Sequence, residues 1–191
     1  PIRVEDKKML CRKFKMNYRA TNCQEDEVGN ENLCIGKPVE TERIIGDGNC
    51  FYRAIAYLIS GSQRQHLVLR KANANHLLKH QDLFKNDLDS MYRNVREFVY
   101  EKGVMNSGTW ACNTDIGSMA NLLDTDIYTY TDSPPEHWLM YSAKNPGHYN
   151  KISTEKGLYI LYTGGNHFEA IKSVSYVDLN IVEETEVIVD S

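Results

Sequence analysis

The 191-residue chain is 41% hydrophobic and 25% charged, with 22 basic against 26 acidic residues and a net charge of −4. This is the composition of a soluble globular protein long enough for one domain with a core, and it lacks the basic field that nucleic-acid binding needs. No apolar run approaches the roughly 18 residues that would span a bilayer, and no signal peptide is visible.

In chain order, residues 1–38 read as an N-terminal extension, with a helix over Val4–Met16 and then the polar, turn-rich stretch NCQEDEVGNENLCIGKP. Lys7, Lys8 and Lys15 are interleaved with Met9, Leu10, Phe14 and Met16, which predicts a solvated helix face, not a binding patch. Residues 39–175 form the expected main domain. A short strand over Val39–Ile45 enters the loop Gly46–Cys50, after which Phe51, Ala54, Ile55 and Leu58 recur at helical spacing up to Gly61. Residues 65–84 are helical but irregular. Residues 87–102 predict an amphipathic helix with Leu88, Met91, Tyr92, Val95, Phe98 and Val99 on one face, and another helix spans Thr114–Leu123. Strands follow at Asp126–Thr131, Trp138–Ser142, Leu158–Tyr162 and His167–Val174, where β-branched and aromatic residues concentrate. Residues 176–191 read as an acidic tail or an extra strand. Helices first and strands later predict an α+β fold with a mixed or antiparallel sheet flanked by helices.

Cysteines stand at positions 11, 23, 34, 50 and 112, an odd number without the Cys-x-x-Cys or Cys/His spacing of a zinc site. A reduced, intracellular chain follows, cytoplasmic or otherwise inside the cell. Only Cys50 has a special position, because it opens a helix directly after a glycine-rich loop, with Asn49 as the expected N-cap. Unpaired N–H groups gather at a helix N-terminus and its dipole favours negative charge, so a thiolate forms readily there. The backbone N–H groups of Asp47, Gly48 and Cys50 can converge as an anion nest, which in acyl transfer would hold the oxyanion.

A nucleophilic thiol needs a base. His66, His76 and His80 lie in the irregular helix and read as its polar surface or interface, while His137 and His148 lie in turns near prolines. His167 differs, since it follows Tyr162-Thr-Gly-Gly-Asn and should open the second strand of a hairpin. Strand alternation puts Glu169 on the His167 face, where its carboxylate could orient the imidazole.

The run Gly46-Asp47-Gly48-Asn49-Cys50-Phe51-Tyr52-Arg53-Ala54-Ile55 resembles the nucleophile motif of the ovarian tumour (OTU) family of cysteine proteases, which are deubiquitinases. Trp110, ahead of a helix and an IYTY strand, is similar to the family's middle segment, and His167-Phe168-Glu169 is similar to its catalytic His-aromatic-Asn/Asp. Glu169 departs from that pattern, since Asn or Asp is the usual third residue. The resemblance covers about residues 40 to 174 and implies a papain-like α/β sandwich. It implies Cys50, His167, Glu169 and Asp47 as the catalytic residues, with no metal and no cofactor. The implied activity is an isopeptidase that removes ubiquitin or a ubiquitin-like modifier from lysines, acting also on polyubiquitin chains, as a monomer, without membrane or nucleic acid. A ubiquitin-binding module without catalysis and a polyprotein-processing protease are the alternatives.

Overall fold

A computed structural model describes residues 2–24, 33–145, 148–149 and 157–178. Helix α2 (Cys50–Ser60) is the centre of the molecule. Phe51, Tyr52, Ala54, Ile55, Ala56, Leu58 and Ile59 are all buried, so its apolar residues are not confined to one stripe. A helix that is apolar nearly all round must be enclosed on every side. The enclosing layers are α1 (Val4–Phe14), α3 (His66–Lys79) and a sheet whose strands β5 (Gly157–Thr163) and β6 (His167–Asp178) lie against α2. The helix ends where Gly61, at φ +73°, approaches the Arg19 carbonyl so closely that a Cβ would lie 2.5 Å from it.

The other elements are β1 (Leu33–Glu42), α4 (Gln81–Phe84), α5 (Val95–Glu101), α6 (Asn113–Leu123), β2 (Asp126–Thr131), β3 (His137–Tyr141) and the two-residue β4 (His148–Tyr149). Among the described residues the sheet has six strands in the order β1-β6-β5-β2-β3-β4, antiparallel except for the β2–β5 pair. The fold is therefore the expected α+β with a mixed sheet.

One sheet face, with Ile127, Leu158, Ile160, Phe168 and Ala170, packs on the helices. The opposite face holds Tyr128, Tyr130, Trp138, Tyr159, Ile171 and Val174 in a second core. Trp138 Nε1 on β3 donates to the Gly36 carbonyl on β1 at 2.9 Å. In a flat sheet those strands, four positions apart, would be separated by about 19 Å. The sheet must curl, and irregular register between β1 and β6 at Ile35, Pro38, Glu40 and Thr41 supplies the bend.

Three expectations need correction. Residues 87–102 do not form one helix; only Val95–Glu101 is helical, because Asn94 is extended and its Oδ1 caps the Glu97 N–H at 2.9 Å, while Asp89 Oδ1 accepts from the Met91 N–H. Local side chains that capture backbone N–H groups end the helical ladder. The predicted lysine face is not uniformly solvated, since Lys7 is buried and Lys13 donates to the Leu122 carbonyl at 2.7 Å. Lysine stems cover apolar surface readily. Finally, the boundary placed at residues 38/39 falls inside β1, and β6 runs past 175 to Asp178. Residues 179–191 of the expected tail, and 25–32 of the polar stretch, lie outside the described residues.

The N-terminal segment is built into the main core through Ile2, Leu10, Cys11 and Met16. Leu10→Ala is accordingly expected to cost about 2–5 kcal/mol in urea unfolding, as for other buried leucines. Deletion of residues 1–36 should cost more, and an unchanged urea midpoint would show that this segment is a dispensable extension.

Candidate active site

The loop between β1 and α2 is held at both ends. Gln63 pairs with it like a strand, accepting from the Ile45 N–H at 3.1 Å and donating to the Arg43 carbonyl at 2.9 Å. Arg53, one turn into α2, grips the Asp47 carboxylate with Nε at 3.0 Å and Nη2 at 2.6 Å, and donates Nη1 to the Gln63 carbonyl. Asp47 Oδ1 also accepts from the Asn49 N–H at 3.1 Å. The guanidinium, helped by Asn49, holds the Asp47 carboxyl far below the usual carboxylate range. The side chain of Asp47 is thus a fixed anionic anchor of the loop.

Within the loop each carbonyl from Asp47 to Asn49 has a donor. Asp47 C=O accepts from Asn49 Nδ2 at 3.4 Å, Gly48 C=O from Arg70 Nη2 at 3.3 Å, and Asn49 C=O from the Arg53 N–H at 2.9 Å. In a trans peptide the N–H points opposite to its C=O. Anchoring Asp47 C=O and Asn49 C=O therefore turns the N–H groups of Gly48 and Cys50 the other way. No group among the described residues takes the N–H of Asp47, Gly48 or Cys50. Such a set can receive an anion at the thiol.

Asn49 occupies the predicted N-cap position but does not cap. Its side chain reaches a second loop, donating to Ser107 Oγ at 3.2 Å and accepting from the Gly108 N–H at 2.9 Å. The two loops meet backbone to backbone at Gly48, whose φ is +77° and whose Cβ, if present, would lie 2.1 Å from the Gly108 carbonyl.

His167 opens β6 after a turn made by Gly164 and Gly165, both at positive φ, with Thr163 as its cross-strand partner. Its ring lies on the Gly46–Cys50 loop, where a Cβ on Gly46 would be 3.7 Å from Cε1 and Nδ1. Phe51 and Phe168, the residues after Cys50 and His167, meet edge to face with centroids 5.8 Å apart. The fold therefore brings the thiol at the head of α2 and the imidazole at the head of β6 to one corner. Cys50 is 7% exposed and His167 half-buried.

Glu169 shares that region, but its Oε2 accepts from Thr41 Oγ1 at 3.0 Å, and among the described residues it forms no hydrogen bond with His167. Thr41 is 128 positions away in sequence, and no local signal points to it. Trp110 is 59% exposed beside the Gly108 loop. A cleft of about 700 Å³ bounded by Ala111, Cys112, Thr129, Tyr162 and Phe168 opens next to the His167 strand.

The remaining histidines lie elsewhere. His66 is 6% exposed against the Gln63 carbonyl, and burial, aided by Arg53, lowers its pKa. His76 contacts Asn121 Oδ1 at 2.7 Å and the ring of His80. No group of three or more His, Cys, Asp or Glu is arranged to hold a metal among the described residues. Arg70 and Asn73, which sequence reasoning passed over, are buried beneath the loop. Their only sequence signal was a polar pair three residues apart on the same side as Leu69, Ala74 and Leu77.

An α+β fold with a cysteine heading its central buried helix and a histidine heading the adjoining strand has the architecture of a papain-like cysteine protease. The chain belongs to the OTU-like cysteine protease family, whose model matches residues 45–168. Ovarian tumor domain-containing deubiquitinating enzyme 7 of Arabidopsis thaliana is 22% identical over 131 residues, covering 69% of this chain and 32% of that protein. OTU domain-containing protein 1 of Mus musculus is 26% identical over 137 residues, covering 70% of this chain and 28% of the mouse protein. Among solved structures, an OTU deubiquitinase from Wolbachia pipientis wMel bound to ubiquitin matches with a TM-score of 0.53 at 17% identity, over 79% of this chain and 99% of the other. The chain spans 28–32% of the length of the two curated relatives.

Proposed function

We propose that this chain is a thiol isopeptidase that removes ubiquitin, or a ubiquitin-like modifier ending in Gly-Gly, from lysine side chains. The observation that carries this reading is the contact of the His167 ring with the Gly46–Cys50 loop, reinforced by the Phe51–Phe168 pair. Membership of the OTU-like family and the likeness to a ubiquitin-bound OTU deubiquitinase support the choice of substrate. The Cys50 thiolate adds to the isopeptide carbonyl while the N–H groups of Asp47, Gly48 and Cys50 receive the oxyanion. The C–N bond breaks as the His167 imidazolium protonates the departing lysine amine, leaving a thioester. Water, deprotonated by His167, then releases the modifier's carboxylate and the thiol. The cleft beside Phe168 suits an extended peptide chain, and the chain acts as a monomer on single modifiers and polyubiquitin chains. Its free cysteines suit a reducing, intracellular compartment.

Hydrolysis of a fluorogenic ubiquitin C-terminal amide tests this reading. Turnover is expected, and saturable ubiquitin binding without turnover would assign the chain instead to ubiquitin-binding modules. In the same assay Glu169→Gln is expected to lower turnover moderately, because it keeps an acceptor for Thr41 Oγ1 but loses the charge that strengthens that bond beside His167. Glu169→Ala should cost more, and His167→Ala more again. A Glu169→Ala protein as active as the parent would define the site as a Cys–His dyad, with Glu169 serving only Thr41.

A further inference from the structure

We propose that Arg70 is a positioning residue that sets the orientation of the oxyanion loop, an inference that rests on the isopeptidase reading above. Arg70 lies on α3 and is 1% exposed. A buried guanidinium is usually matched by a carboxylate. Here the hydrogen-bond partners are backbone carbonyls from two loops, Val104 at 2.9 Å, Thr109 at 2.7 Å and Gly48 at 3.3 Å. The guanidinium also stacks over Tyr52, 4.3 Å from the ring centroid, and Tyr52 in turn donates to Asp115.

What this fork controls follows from the chain. Gly48 is a glycine held at φ +77°, and its peptide plane can swing unless something fixes it. Arg70 holds the carbonyl side of that plane, and Asp47 Oδ1 holds the N–H side through Asn49. With this plane fixed at both edges, the flanking N–H groups of Gly48 and Cys50 have defined directions. The same guanidinium holds Thr109, so the Gly108 carbonyl that seats Gly48 cannot retreat. Lysine could keep the charge but not the planar fork that reaches carbonyls on separate loops.

The prediction separates acyl transfer from thiol chemistry. Alkylation of Cys50 by iodoacetamide forms no oxyanion, whereas hydrolysis of the ubiquitin amide does. Arg70→Lys and Arg70→Gln are therefore expected to lower kcat about 10–100-fold, as misplacement of one catalytic donor does. KM should stay near the parent value, and in Arg70→Lys, which keeps the positive charge that Cys50 feels, the rate and pH midpoint of Cys50 alkylation should be unchanged. Turnover close to the parent's would overturn the proposal. So would a parallel fall in alkylation in Arg70→Lys, or failure of both variants to fold, since either makes Arg70 a general support of the domain. Absence of turnover in the parent would count against the isopeptidase reading, not against Arg70 in particular.

Discussion

Cys50→Ala is expected to abolish isopeptide hydrolysis, with a loss on the order of 10⁴-fold or more, as when other covalent nucleophiles are removed. Ser replacements at Cys11, Cys23, Cys34 and Cys112 should leave most of the activity. Cys11 is 2% exposed, donates to the Ile59 carbonyl and is pushed up in pKa by burial, all of which oppose a thiolate. Cys23 is buried and Cys34 sits in β1. Cys112 is the sharper control, because Lys102 Nζ lies 3.1 Å from its sulfur. Lys102 is also bound to Asp115, whose carboxylate lies 3.4 Å from the same sulfur and opposes a second negative charge. Cys50 alone combines a helix N-terminus, adjacent untaken N–H groups and a neighbouring imidazole. Substantial turnover by the Cys50→Ala protein would refute its role as nucleophile.

Gly48→Ala is expected to be the most damaging substitution in the loop that leaves every catalytic side chain in place. The added Cβ would fall 2.1 Å from the Gly108 carbonyl, and the residue would be held at φ +77°. The left-handed conformation alone costs about 1–2 kcal/mol. Relief of the overlap must separate the two loops, and a shift of about 1 Å in a catalytic donor costs on the order of 10² in rate. Gly46→Ala is the matched comparison, since its Cβ would meet the His167 ring at an ordinary 3.7 Å. Turnover and urea unfolding of both variants check the contrast. Equal activity in the two would mean that the Gly48–Gly108 contact has no bearing on the chemistry.

The two halves of the candidate site were legible because each is announced locally. A glycine-bracketed loop running into apolar helix marks Cys50, and Thr-Gly-Gly-Asn between apolar strands marks His167. What supports them was not legible, because it consists of contacts between distant segments. Arg70 reads as an ordinary helical arginine until Gly48, Val104 and Thr109 surround it. Asn49 looks like a cap, yet the loop at Ser107 and Gly108 captures its amide. Periodicity over 87–102 reflected the packing of Leu88 and Tyr92 around buried Phe98 in a common cluster, which turns achieve as well as a helix does. The curl of the sheet depends on β1 reaching Trp138, a contact spanning 102 positions.

The most direct test of Cys50 as a ubiquitin-directed nucleophile is the reaction of the intact protein with ubiquitin bearing a C-terminal thiol-reactive group, followed by peptide mapping of the product. The expected result is a single covalent adduct on Cys50, lost in the His167→Ala variant or strongly slowed there. Non-covalent binding with no adduct, or an adduct carried by another cysteine, would contradict it.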